Sequence, residues 1–172
     1  RLLAHVRTDP DAYVVAAAAK ALGTVAAPLP AGDPRRGEVR EALRARFGGG
    51  PWSASVGCLE GLGRLGGADG AEALAAVASD VSVDPRLRDI AVSDLENAGE
   101  AAFPHLFRLV FDQSRLGGTS DEQAERICDR AAETLDRLLD GRFGRSSAWR
   151  TEDREAVLEA MRAEAKKRGH VR

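Results

Sequence analysis

The chain is short of several residue types, and each shortage narrows the possibilities. Two cysteines, Cys58 and Cys128, stand among 172 residues, too few for a disulfide framework. Each sits in a helical pattern between small or apolar neighbours, which predicts two reduced, packed thiols. Aromatic residues make up 5%, so a core has to be built from Ala, Leu and Val. His5, His105 and His170 are scattered and share no metal-ligand spacing. The longest apolar stretch, 12–19, stops at Lys20, far short of the roughly 20 residues a membrane-spanning helix needs. No secretory leader is visible, so the expected location is cytoplasmic. Neither charge dominates: 25 Lys and Arg face 27 Asp and Glu. That balance argues against a protein whose main task is to hold a nucleic-acid backbone.

What is present is helical punctuation. At 44% hydrophobic and 30% charged, the composition is that of an ordinary globular chain. Asp9-Pro10, Asp33-Pro34 and Asp84-Pro85 each precede an apolar-periodic run. Asp accepts the orphan N–H groups of a helix start, and Pro at the first helical position gives up an N–H that had no partner. Ser120 with Gln123 has capping-box spacing, and Thr151 followed by Glu152 and Asp153 suits a helix start. Gly48, Gly66, Gly99, Gly117 and Gly141 fall where such runs end. Between these marks Val14, Ala17, Ala18, Ala21, Leu22 and Val25 follow helical spacing. The chain does not begin with Met, and residues 1–6 read as the back half of a helix, which predicts an excised piece of a longer protein.

The pattern repeats. Leu22, Leu62, Leu95 and Leu135 are spaced by 40, 33 and 40 residues. Eight positions before them stand Val14, Ala54, Leu87 and Ile127; four before, the small residues Ala18, Cys58, Ala91 and Ala131; three after, Val25, Leu65, Ala98 and Leu138. A small residue at one fixed place predicts close approach of two helix backbones there. Asp94 interrupts the register held by Ala21, Gly61 and Thr134. Partner helices precede each copy: 36–47 with 52–65, 71–79 with 85–98, 104–112 with 121–139, and 2–6 as the remnant of the first. The expected fold class is all-α: about four helix hairpins stacked as an α-solenoid over residues 1–140. Residues 141–172 then supply a polar connector and a C-terminal capping helix, with an apolar stripe of Ala156, Val157, Ala160, Met161 and Ala163 and a basic end at Lys166, Lys167 and Arg168.

The segment from Asp9 to Val25, with Asp-Pro-Asp at its start, Val14, Ala18 and the Leu22-Gly23 pair, resembles the second helix of bacterial HEAT-like repeats, the phycobilisome-lyase type among them. Residues 58–65 form a poorer copy with Gly63 in the Leu-Gly place. Leu87, Arg88, Ala91 and Leu95 form a third, and 127–138 keeps the apolar skeleton alone. The resemblance covers roughly residues 1–140. It implies a solenoid whose second helices line a concave surface. There the outward register comprises Lys20, Ser55, Glu60, Arg64, Arg88, Asp89, Ser93, Asn97, Glu122, Arg126 and Asp129. Their interleaved signs suit a protein partner, or another domain of the same chain, better than nucleic acid.

No catalytic, cofactor or metal constellation emerges. Gly61, Gly63 and Gly66 match the dinucleotide fingerprint by letter, but they end a helix instead of following a strand. Asp94 and Glu96 are two apart on a helix and do not face each other; Asp94 is placed to bond Arg88 or a neighbouring repeat. Trp52, after Gly48, Gly49, Gly50 and Pro51, is either a packing residue at a helix start or an exposed contact. The loop 32–36 is the place expected for an added contact. The leading expectation is a non-catalytic protein-interaction scaffold. The alternatives are an enzyme or enzyme accessory of the bilin-lyase or DNA-glycosylase kind, which the family resemblance also allows, and a structural spacer.

Overall fold

The computed structural model describes residues 1–48, 50–117, 125–141 and 151–170. The protein is all-helical in character. Its α-helices are α1 (Leu2–Thr8), α2 (Ala12–Ala26), α3 (Pro34–Arg46), α4 (Trp52–Leu65), α5 (Gly67–Ser79), α6 (Pro85–Asp94), α7 (Phe103–Leu109), α8 (Ile127–Leu138) and α9 (Thr151–Lys167). Asp33 and Asp84 cap α3 and α6, each accepting the amide two residues on, at 2.9 Å from Arg35 and 2.8 Å from Arg86. At α2 the cap is Asp11, which accepts from Tyr13 and Val14. Asp9 instead accepts the Asp11 amide at 3.0 Å, so the Asp-Pro pair lies two residues short of the cap position it was expected to fill.

Neighbouring helices pack in sequence order. α2 lies against α4, α4 against α6, and α6 against α8, while α1, α3, α5 and α7 pack on one another in turn and on the following even-numbered helix. The four aligned leucines, Leu22, Leu62, Leu95 and Leu135, are buried, as are Ala18, Cys58, Ala91 and Ala131 at the small position. The closest approach is α2 on α4. A Cβ at Gly57 would collide with the backbone of Ala16, and one at Gly61 would stand 2.6 Å from the Ala19 carbonyl oxygen. Two helices can meet this closely only where side chains are absent.

Several expectations are corrected. Val14 and Val25 are exposed, Val25 by 64%. Among the described helices, α2 has α4 beside it on one flank, whereas α4 is held between α2 and α6, so the register positions buried in α4 lie open in α2. The helix expected over 85–98 is α-helical to Asp94 and then tightens into a 3-10 run, Leu95–Ala102, bent at Gly99, where φ is +60°. α8 starts at Ile127, after a short antiparallel ladder that joins Arg115–Gly117 to Glu125–Arg126. The start expected at 121, the Ser120–Gln123 capping box, Glu122 and the connector from 142 to 148 lie outside the described residues, as do the side chains of residues 151–154. On α9 the buried positions are Leu158, Met161 and Ala165, with Val157 half-buried, while Ala156, Ala160 and Ala163 are exposed. The stripe is rotated because α9 packs against both α7 and α8, and the larger Leu158 buries more apolar surface than any alanine.

The loop expected over 32–36 is also different. Helix α3 begins at Pro34, and Arg36 turns inward to 5% exposure. Its Nη1 donates to the carbonyls of Ala26 and Ala27, and its Nη2 to those of Leu65 and Gly66. These carbonyls lie at the C-terminal ends of α2 and α4, and those of Ala26 and Gly66 also accept the amides of Leu29 and Gly70. Its Nε donates to Asp69 Oδ2 at 2.8 Å, so the buried charge is both paired and fully hydrogen-bonded.

Candidate functional site

The packing of α2, α4, α6 and α8 puts their polar residues on adjoining helices, and ion pairs cross between them. Lys20 on α2 lies 2.7 Å from Glu60 on α4. Four residues further along each helix, Arg64 donates to Thr24 Oγ1 at 3.3 Å. The pattern returns between α6 and α8. Arg130 Nε donates to Asp89 Oδ1 at 2.6 Å, and Arg137 Nε lies 2.9 Å from Glu96, at the start of the 3-10 run. Glu133 accepts from both Arg130 and Arg137. Pairs that cross between helices in this way hold the helices in register, and each exposed one contributes modestly to stability.

The α4–α6 seam is built differently. Gly63 leaves a notch on α4, and the Asp94 side chain of α6 fills it: a Cβ at Gly63 would stand 3.3 Å from Asp94 Cβ and 3.2 Å from Asn97 Nδ2. Asp94 Oδ2 is buried and has no hydrogen-bond partner among the described residues. Burial, and then the nearby Glu60 carboxylate, push the Asp94 carboxyl up to about 6, against the opposing pull of Arg64 and Lys20.

Of the residues expected on this face, Lys20, Glu60, Arg64, Asp89 and Asn97 do reach an exposed or half-exposed surface. Arg88 does not. It is 3% exposed and donates to the Ala78 carbonyl at 2.8 Å and to Ser114 Oγ and Asp112. It therefore closes the end of α5 and the loop after α7, and it does not meet Asp94. Ser55 and Asp129 are likewise buried. Arg126 sits at the start of α8, held by Asp129, Gln113 and Glu155. Ser93 is half-buried. Arg130, Glu133 and Arg137 were not singled out in the sequence. Their spacing of three and four on one helix face is the signal that could have found them.

Elsewhere, Trp52 is 43% exposed and carries the Arg86 guanidinium 4.6 Å above its ring, so it is a surface contact rather than a buried anchor. A cavity of about 250 Å³ between α5 and α7 brings Glu72, Ser79, His105 and Arg108 together. Burial, then the Arg108 charge, hold His105 below the usual imidazole range. Among the described residues no hydrogen bond joins Ser79 to His105, so the parts of a nucleophile relay are present there without being engaged. Burial pushes both thiols up, Cys58 and Cys128 each to about 11. No group of three or more His, Cys, Asp and Glu side chains is placed to hold a metal ion, and no helix is long and apolar enough to cross a membrane, among the described residues.

No protein-family model matches this chain, and no curated protein matches it.

Proposed function

We propose that the chain is a non-catalytic protein-interaction module, a HEAT-like α-solenoid of four helix hairpins (α1–α2, α3–α4, α5–α6 and α7–α8) with α9 as the cap at its end. The observation that carries this reading is the sequence-ordered packing of α2, α4, α6 and α8 beside a second tier of α1, α3, α5 and α7. Stacking of this kind lets each hairpin bury its apolar seam on the next. It also leaves one continuous face on which Lys20, Glu60, Arg64, Asp89, Asn97, Arg130 and Arg137 are presented on rigid elements. A protein partner docks on that face; its mixed, paired charge gives orientation and specificity more than bulk attraction.

The test is affinity capture from the source organism with the wild type, with Arg64→Glu plus Arg137→Glu, and with Arg44→Glu on α3 as a control outside the face. The expected result is one protein retained by the wild type and the control and lost by the double variant. A partner list unchanged by the double variant overturns the assignment of the face. The enzyme alternatives make separate demands: a change in bilin absorbance on mixing, or DNA binding that weakens steeply with salt. A spacer would capture nothing.

A further inference from the structure

The cavity between α5 and α7 belongs to the tier that does not carry the ion pairs of α2, α4, α6 and α8. Its volume is about 250 Å³, and Ala75 and Leu109 give it buried apolar walls. Three side chains able to donate hydrogen bonds line it: the Ser79 hydroxyl, the His105 ring and the Arg108 guanidinium. Among the described residues none of the three has a hydrogen bond or an ion pair. Arginines nearby are satisfied differently: Arg40 on α3 holds Asp69, and Arg130 and Arg137 on α8 hold Asp89 and Glu96. Glu72 lines the same cavity, yet its ion pair is with Arg40, at 3.7 Å, and not with Arg108. The Arg108 charge is felt inside the cavity, since together with burial it holds His105 below the usual imidazole range. At neutral pH that ring is uncharged and keeps one N–H to donate.

We infer that this cavity binds a small monocarboxylate, its charged end at Arg108 and its short aliphatic tail against Ala75 and Leu109. An unpaired guanidinium, a hydroxyl and an imidazole N–H supply donors for both oxygens of a carboxylate, and the planar guanidinium fork matches its geometry. A few polar groups among apolar walls are what orients a ligand in a pocket, and the volume falls below the roughly 300 Å³ at which pockets for drug-sized molecules begin, so the occupant is an acid of a few carbons. Glu72 selects for low charge: its carboxylate repels a doubly charged phosphate about twice as strongly as a singly charged carboxylate. Glu72, Ser79 and Arg108 are exposed, so the cavity is open to an entering molecule as it stands. The site is independent of the α2–α8 docking face, and either reading can fail without the other.

The probe is butyrate, titrated at constant ionic strength into isotope-labelled protein while the backbone amides and the His105 ring are followed by NMR. Butyramide, the uncharged isostere, and inorganic phosphate run beside it. Butyrate is expected to shift the amides of residues 72–79 and 105–109 with a dissociation constant of about 1–10 mM, and butyramide to bind about tenfold more weakly. Bound butyrate is also expected to raise the His105 titration midpoint, because an adjacent anion favours the imidazolium. Arg108→Gln, at an exposed position, is expected to lose about the same tenfold, with its unperturbed spectrum elsewhere showing that it is folded. Equal binding of butyrate and butyramide, or equal binding by wild type and Arg108→Gln, overturns the inference. Phosphate binding more tightly than butyrate overturns the monocarboxylate assignment. The absence of shifts on these residues at about 100 mM butyrate, well above the expected dissociation constant, overturns the site itself.

Discussion

Arg36 and Gly66 are 30 residues apart, one on α3 and the other at the junction of α4 and α5, yet the Arg36 guanidinium donates to the Gly66 carbonyl at 2.9 Å. From there the same side chain reaches the last carbonyls of α2. Gly66 itself has φ +61° and serves as both the end of α4 and the start of α5, a geometry open to glycine at little cost. One buried cation thus supplies hydrogen-bond donors to two adjacent helix ends. Arg36→Ala is expected to lower unfolding free energy by about 3–5 kcal/mol, because the Ala27 and Leu65 carbonyls lose the donor Arg36 supplies and Asp69 is left with Arg40 alone. Arg36→Lys is expected to recover less than half, since an ammonium on one stem cannot span both helix ends. Urea unfolding measures both, and faster amide exchange at the ends of α2 and α4 localises the effect.

The contact of Gly57 with Ala16 makes a second prediction. Gly57→Ala places a methyl group where the α2 backbone already stands, so the helices must part, at a cost of about 1–3 kcal/mol. Gly37, inside α3, has nothing within 4 Å of the place a Cβ would take. Gly37→Ala is therefore expected to stabilise the protein by about 0.5–1 kcal/mol through helix propensity alone. Opposite signs for two Gly-to-Ala changes, read from thermal midpoints, separate close packing from propensity.

Asp94 gives the pH dependence. Burial pushes its carboxyl up to about 6 in the folded protein, above the ordinary carboxylate value of about 3.9, so the ionised form is disfavoured in the native state. Its penalty is complete above about pH 6 and is relieved as pH falls from there toward 4, where the native state binds the proton before the unfolded chain does. Asp94→Asn, which removes the charge and keeps the shape, is expected to raise stability at pH 7.5 by up to about 3 kcal/mol, the equivalent of a shift of roughly two pH units. At pH 4 the gain over wild type should largely vanish. Denaturation midpoints of the two proteins at both pH values check the sign.

The cysteines should behave as core atoms. Cys58 and Cys128 are buried and pushed far above the usual thiol range, so the reactive thiolate is scarce at neutral pH. A chromogenic disulfide reagent at pH 8 is expected to label neither on the timescale at which both react in urea. Rapid labelling of the native protein would show that the core opens locally.

Much of this architecture can be read along the chain without coordinates. Leu22, Leu62, Leu95 and Leu135 announce buried positions, and Ala18, Cys58, Ala91 and Ala131 announce close contact, because helix periodicity and residue volume are local properties. Asp33-Pro34 and Asp84-Pro85 mark helix starts for the same reason. The direction a long side chain takes is not local. Arg88 occupies an outward register by spacing and is buried, because the open end of α5 and Asp112 lie within reach of its guanidinium. Arg36, placed by its neighbours in a loop, is drawn inward by carbonyls from helices that begin and end elsewhere in the chain. Asp94 interrupts an apolar register visibly; that it meets a glycine on α4, and that its Oδ2 finds no hydrogen-bond partner there among the described residues, depends on which helix packs beside it. Periodicity and capping chemistry act over a few residues and are written in order along the chain, whereas the partner of a buried charge is whatever the packed fold brings within about 3 Å.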